Sequence, residues 1–226
     1  GYELTPKAYR IFQGRLLEAL NIFEGLLHEP DANNFKDAIY FWIAEVHFKG
    51  SNYDSAAVFY GKVISDFPQS SYAAQAYYSH GWSLFLTGKY ALALESFQRL
   101  EDKFPQEPQS KDAAFKIIEC LYNLKEYSGL ISRIKPYFKL YANDALRLPY
   151  LYFYLAESDY YLNDFKEAAG NYLKSSQVTV DDKVRGLAKL GLAWSYLKLK
   201  KYKDAEEVFT EIKQSSLDRK SMDILL

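Results

Sequence analysis

The sequence predicts an all-α protein, an α–α superhelix of about six antiparallel helix pairs, and three observations carry that prediction. The first is a period: residues that open a helical pattern stand at Tyr53, Tyr90, Tyr127, Phe165 and Tyr202, separated by 37, 37, 38 and 37 residues, and Leu16 extends the column back by 37. The second is that two more columns keep the same phase, Ala19, Ala56, Ala93, Leu130, Ala168 and Ala205, then Phe23, Tyr60, Phe97, Ile134, Tyr172 and Phe209. A small residue lets the two helices of a pair approach closely, and the larger one fills the space between one pair and the next. The third is composition: 226 residues that are 49% hydrophobic and 25% charged can bury a core, while 11 Gly and 7 Pro are few and sit where helices should end.

The repeat is clearest between Ala73 and Gln109. Apolar or small residues recur at helical spacing through Ala74, Tyr77, Tyr78, Gly81, Leu84 and Phe85. Gly88 breaks the pattern, Tyr90, Ala93, Leu94, Phe97 and Leu100 restart it, and Pro105 ends it. The first helices of successive repeats supply a complementary small column, Ala44, Gly81, Ile118, Ala156 and Ala193, with Ile118 the departure.

Taken in order, Tyr2 to His28 is predicted to hold a short first helix and a longer second one that ends near Pro30. Residues 31–69 form the first full repeat, with helices at Lys36–Lys49 and Tyr53–Asp66 split by Gly50, Ser51 and Asn52, and with Asn33 or Asn34 as the N-cap. The linkers at Phe67-Pro68-Gln69-Ser70-Ser71 and Phe104-Pro105-Gln106 each end a helix with proline and leave a serine to cap the next. The third full repeat, from Lys111, is irregular. Leu130 stands for the small residue, Ile134 for the aromatic, and Pro136 falls within the second helix, where a missing donor and a steric clash cost about 3 kcal/mol, so that helix should kink or stop. The linker from Lys139 to Leu148 carries the extra residue of the longer period, and Pro149 fits the first turn of the following helix. The expected organisation is one solenoid in two halves, 1–138 and 139–226, with a bend near Pro136. The fourth repeat (Tyr150–Gln177) and the fifth (Asp182–Ser215) return to pattern, and Ser216 to Leu226 is read as the start of a capping helix or of another repeat.

The order small residue, glycine at the turn, Tyr, Ala, aromatic, Pro between Ala73 and Pro105 resembles the tetratricopeptide repeat (TPR). That resemblance implies a right-handed superhelix whose first helices line the concave wall, and a scaffold that binds protein or peptide partners. The linker Ser65-Asp66-Phe67-Pro68-Gln69-Ser70-Ser71-Tyr72-Ala73 makes the repeat longer than the usual length of about 34 residues. It is similar to linkers in the bacterial envelope TPR families of the outer-membrane assembly lipoprotein BamD and of the periplasmic Tol-Pal-associated division coordinator. This implies a periplasmic or envelope-associated complex, with a cytoplasmic location left open.

The sequence carries none of the common catalytic patterns. His28, His47 and His80 include no pair at the three- or four-residue spacing that two metal ligands on one helix need, and His28-Glu29 runs into Pro30. No glycine-rich phosphate loop and no serine nucleophile elbow occurs. The expectation is a non-enzyme with no metal and no cofactor. Glu206 and Glu207 beside Lys201 and Lys203 read as a solvated helix face, and the lone Cys120, among Ile117, Ile118 and Leu121, as a structural thiol. A formal charge of −1 offers no basic face to nucleic acid. The chain opens on Gly1 without a leader pattern and has no apolar run near 18 residues, so an excised segment that does not itself insert into a membrane is expected.

The TPR register also implies which side chains face the groove: Phe41, Glu45 and Phe48, then Tyr78, Trp82 and Phe85, then Phe115, Glu119 and Tyr122, then Phe153, Glu157 and Tyr160, and finally Leu190, Trp194 and Leu197. TPRs that grip a peptide carboxylate carry Lys, Arg and Asn in these columns, whereas this chain has Glu45, Glu119 and Glu157. The expected ligand is therefore an extended or helical peptide with apolar anchors and a basic group. The opposing reading is that the rings pack on one another as core. Two other functional readings stay open, a recruiting or sensing domain of a larger enzyme or regulator, and a structural protein whose solenoid ends pair. The sequence leaves the partner's identity and the oligomeric state open.

Overall fold

The structure, a computed structural model, describes residues 6–214, with side chains from Gln13 onward. The described residues form eleven α-helices and no strand: α1 (Pro6–Leu26), α2 (Lys36–Lys49), α3 (Tyr53–Asp66), α4 (Ala73–Leu86), α5 (Tyr90–Lys103), α6 (Pro108–Asn123), α7 (Tyr127–Leu140), α8 (Leu148–Tyr161), α9 (Phe165–Val178), α10 (Asp182–Lys198) and α11 (Tyr202–Gln214). The chain divides into two compact units, residues 1–120 and 121–226, with the boundary inside α6. In the first unit α1 lies on α2, and the pairs α2–α3 and α4–α5 stack through α3 on α4. In the second, α7 packs on α8, and the pairs α8–α9 and α10–α11 stack through α9 on α10. This is the α–α superhelix packing of helix pairs, each pair covering the face that its neighbour cannot bury alone.

The phase of the columns becomes the core. Ala44, Ala56, Tyr60, Ala93 and Phe97 are fully buried in the first unit, as are Leu130, Ile134, Ala156, Ala168 and Ala193 in the second, with Tyr172 and Ala205 nearly so. The small positions are small for a steric reason: a Cβ on Gly81 would lie 2.7 Å from the Phe97 ring, and one on Gly191 would lie 2.4 Å from that of Tyr172. Burying such a ring stabilises by about 1.5–3 kcal/mol, so the repeat keeps its large residue and gives up the side chain that would displace it.

Every turn within a pair places one residue in the left-handed region, at Ser51 (φ 61°), Gly88 (φ 73°), Lys125 (φ 60°), Asn163 (φ 66°) and Lys200 (φ 59°). Only one of the five is glycine. In the first full repeat, where Gly50, Ser51 and Asn52 split the two helices, Gly50 has φ −77° and it is Ser51 that takes the left-handed conformation.

Other local expectations are corrected. Residues expected to form two opening helices form a single α1 of 21 residues. An isolated Gly14 weakens a helix by about 1 kcal/mol but does not end it without a proline or a left-handed residue. Asn33 and Asn34 lie in a 3-10 turn, Ala32–Asn34, and Phe35 occupies the N-cap of α2 with no side-chain cap bond. The linker serines do not act as paired caps either. Ser70 precedes α4 and accepts from the Tyr72 N–H at 3.1 Å while donating to Asp37 on α2 at 2.5 Å. Ser110 lies inside α6, which starts two residues earlier at Pro108, and donates to the Phe104 carbonyl at 2.6 Å. Of the two outcomes expected at Pro136, a kink or a stop, the stop does not occur, since α7 runs on to Leu140. Pro149 sits in the first turn of α8, as its fixed φ favours. The reading of Ser216 to Leu226 lies outside the described residues.

Candidate functional site

The residues assigned to the groove come from the first helices of the pairs, and the structure holds them in three ways, of which the first two recur. The first is a ring-on-ring contact across the turn. Phe48 meets Tyr53 with ring centroids 5.3 Å apart, Phe85 meets Tyr90 at 5.3 Å, Tyr122 meets Tyr127 at 6.4 Å and Tyr160 meets Phe165 at 5.2 Å, all edge-on. The left-handed turn residue swings the opening aromatic of each second helix back onto the last turn of the first helix, so these rings are braced.

The second is a carboxylate–phenol contact. Tyr60 on α3 donates to Glu45 on α2 at 2.5 Å. In the second unit Glu157 on α8 accepts from Tyr172 on α9 and from Tyr122 at 3.0 Å. Burial first, and then these carboxylates, hold the Tyr60 and Tyr172 phenols well above the usual phenol range, so both remain donors. Neither Glu45 nor Glu157 makes an ion pair among the described residues.

The third is a lysine seated on aromatic rings. The ammonium of Lys116, on α6, lies 4.1 Å from the Trp82 ring centroid and 4.8 Å from that of Phe85, both on α4. It also pairs with Glu119 one turn on, and both side chains are largely buried. Sequence reasoning missed Lys116, because its column was not assigned to the groove; what places it there is the packing of α6 beside α4, shown also by the Gln109–Gln75 side-chain bond at 2.7 Å.

Exposure differs among the assigned residues. Phe41 is a core residue, stacked on Tyr72 at 4.7 Å, and Phe115 is 9% exposed. Tyr78, with ring contacts to Trp82 and Phe97, and Phe153, against Tyr172, are half-buried, as are Leu190 and Leu197. Trp194 is 47% exposed and edge-on to Phe209. Near it, α10 and α11 form an open pocket of about 330 Å³ lined by Leu197, Tyr202 and Phe209 among others.

The remaining titratable candidates have packing roles. His80 Nδ1 lies 2.8 Å from Ser96 Oγ, and burial lowers its pKa to about 4, while His47 stacks on Phe59. Cys120 is buried and its thiol is pushed up to about 12, too high for a nucleophile at neutral pH. Among the described residues no group of three or more His, Cys, Asp or Glu is placed to hold a metal ion, and no helix is long and apolar enough to cross a membrane.

Helix pairs stacked in this way, with their rings braced across the turns, define a helical repeat protein. The profile of the tetratricopeptide repeat matches residues 38–70 and 154–218, and that of an outer membrane lipoprotein family matches residues 73–164. Two stretches of the chain thus resemble the tetratricopeptide repeat, and its centre resembles the outer membrane lipoprotein family. Among solved structures it is similar to MamA 41-end from Desulfovibrio magneticus RS-1, with 16% identity and a TM-score of 0.65 over 80% of this chain and 98% of that one. A MamA RS-1 ArsTM double mutant gives 16% identity and a TM-score of 0.66, covering 79% of this chain and 93% of its own. BtubC (BKLC) from P. vanneervenii gives 12% identity and 0.62, covering 89% and 88%. At these identities the likeness is one of fold. No curated protein sequence matches the chain.

Proposed function

We propose that the chain is a non-catalytic scaffold that binds a protein or peptide along a concave wall formed by its first helices, within a bacterial envelope complex. The observation that carries this reading is the repetition of one arrangement. In every full repeat the first helix presents a ring or a carboxylate, held by its own second helix or by a neighbouring first helix, at positions a core could fill with aliphatic residues. The partner that fits is an extended or helical segment with apolar anchors and a basic group, because Glu45, Glu119 and Glu157 replace the cations with which carboxylate-gripping TPRs hold their ligands. The match of residues 73–164 to an outer membrane lipoprotein family supports the envelope assignment.

The test is affinity capture with the intact protein, followed by reassay of the captured partner against Phe48→Ala, Tyr160→Ala and Trp194→Ala, with Lys203→Ala on the solvated face of α11 as control. Loss of binding in the wall variants at nearly unchanged melting temperature is the expected result. A partner indifferent to all three wall variants would remove the wall from the interface.

A further inference from the structure

The seat of Lys116 has a counterpart in the second unit, 75 residues on. Trp82 corresponds to Glu157, Phe85 to Tyr160, Glu119 to Trp194, and Lys116 itself to Gly191. Both sets hold one carboxylate, one indole and one further ring. In the first unit they surround an ammonium that the chain supplies, 4.1 Å from the Trp82 ring centroid and paired with Glu119. In the second unit the lysine's position is a glycine, and it must be one, since a Cβ there would lie 2.4 Å from the Tyr172 ring. The second set keeps the carboxylate and the rings and brings no cation of its own.

We propose that Glu157, Tyr160 and Trp194 form a seat for one cationic side chain, lysine or arginine, of a bound peptide. Three observations point to a cation rather than to another apolar anchor. Glu157 receives only the phenols of Tyr122 and Tyr172 and makes no ion pair among the described residues, so a half-buried negative charge on this face is not neutralised from within. Tyr160 stands one turn on from Glu157 and is braced by Phe165 at 5.2 Å, and Trp194 on the neighbouring helix α10 is 47% exposed and held edge-on by Phe209 at 6.4 Å. Aromatic faces beside a carboxylate attract a weakly hydrated cation through both the ring quadrupoles and the full charge. Lys116 shows that the corresponding positions of this fold accommodate an ammonium at contact distance.

The inference rests on the peptide-binding reading, and its test is separable from it because the probe is a single amino-acid derivative. Nα-acetyl-arginine methylamide is titrated into the whole chain, followed by the Trp194 indole N–H and the backbone amides of α8 and α10 in NMR spectra. The neutral isostere Nα-acetyl-citrulline methylamide is the comparison. The expected result is a saturable shift with the arginine probe that is about tenfold weaker with citrulline, about tenfold weaker in Glu157→Gln, and unchanged in Glu45→Gln. Should Glu157→Gln fail to fold, Trp194→Ala, at a half-exposed position, is read instead on the amides around Glu157, and the same loss is expected. Equal shifts from arginine and citrulline, no shift at Trp194 with either, or an arginine titration unaffected by both variants would each overturn the seat. A seat that fails while wall variants still release the partner leaves the scaffold standing. A seat that binds the probe while the partner ignores the wall sinks the scaffold reading alone.

Discussion

The phenol of Tyr60 donates to the Glu45 carboxylate at 2.5 Å across 15 residues of chain, and the same offset joins Tyr172 to Glu157. At the other repeats that offset reads Trp82 with Phe97, Glu119 with Ile134, and Trp194 with Phe209. A tyrosine in the second helix comes with a carboxylate in the first, and a phenylalanine comes with a tryptophan. The exception, Ile134, cannot donate, and its Glu119 turns to Lys116. Polarity is thus matched within each pair, because a partly buried carboxylate without a donor costs more than the bond itself returns.

That matching predicts non-additivity. Tyr60→Phe should destabilise by about 1–3 kcal/mol by leaving Glu45 without its donor, whereas Tyr60→Phe combined with Glu45→Leu, imitating an apolar pair, should recover most of the loss. Urea denaturation of the two single variants and the double variant measures the coupling. Effects that simply add would show that the bond contributes nothing specific.

Small residues at the helix crossings are predicted to be the least tolerant positions. Gly81→Ala and Gly191→Ala, each driving a methyl into a buried ring, and Ala56→Leu or Ala93→Leu, should cost about 1–3 kcal/mol. Gly14→Ala, where nothing lies within 4 Å of the new methyl, should instead stabilise α1 by up to about 1 kcal/mol. Thermal melts that fail to separate these two glycine classes would disprove the register.

The turns offer the opposite kind of substitution. Lys125 and Lys200 hold left-handed backbone with a β-carbon, at a cost of roughly 1 kcal/mol each, so Lys125→Gly and Lys200→Gly should raise stability by a few tenths to about 1 kcal/mol once the extra freedom of the unfolded chain is deducted. Gly88→Ala should lower it by about 1 kcal/mol. Denaturant midpoints moving the other way at the lysines would mean that their side chains make stabilising contacts that outweigh the strain.

Helix α7 absorbs Pro136 without ending, yet residue 136 has no N–H for the carbonyl of Ser132. Amide exchange across Lys135–Ala145 should therefore be faster than in α5 or α9, and Pro136→Ala should raise the melting temperature. Exchange rates uniform with those of the other second helices would leave no basis for a bend at this repeat.

These outcomes also mark what the sequence could disclose. The columns through Ala56, Ala93 and Ala168 and through Tyr60, Phe97 and Tyr172 were legible because a helix crossing imposes a steric demand on single positions, and single positions repeat. Caps and turns were less legible, since Ser51, Lys125 and Lys200 reach the left-handed region under tertiary constraint where propensity would choose glycine. The 15-residue matching of Glu45 with Tyr60 was written in the sequence, but it becomes visible only when both helices of a pair are compared as a unit. Lys116 was not legible, because its contacts are set by the stacking of α6 on α4. The repeat register indicates the direction of a side chain and not what covers it, which is why Phe41, assigned to the groove, lies 6% exposed in the core.

The buried Asp159 gives stability a defined dependence on pH. Its side chain, on α8, is 7% exposed, accepts from Asn171 Nδ2 at 2.8 Å, and has the carboxylates of Asp164 and Glu167 nearby. Burial, opposed by the Asn171 bond and reinforced by those two carboxylates, raises its pKa from 3.8 to about 6. The folded value lies above the unfolded one, so the native state binds this proton more tightly, and the stability it contributes is complete below the unfolded pKa of 3.8 and is lost as pH rises through about 6. By neutral pH the ionised carboxyl has cost the fold about 2–3 kcal/mol. Asp159→Asn keeps an acceptor for Asn171 and removes the charge, so it should match the parent protein near pH 4 and exceed it in stability by that amount at pH 7. Urea midpoints measured on both proteins from pH 4 to 8 decide the matter. A difference that stays constant across the range would show that Asp159 titrates alike in the folded and unfolded chains, and that the polar contact with Asn171 suffices to hold its charge.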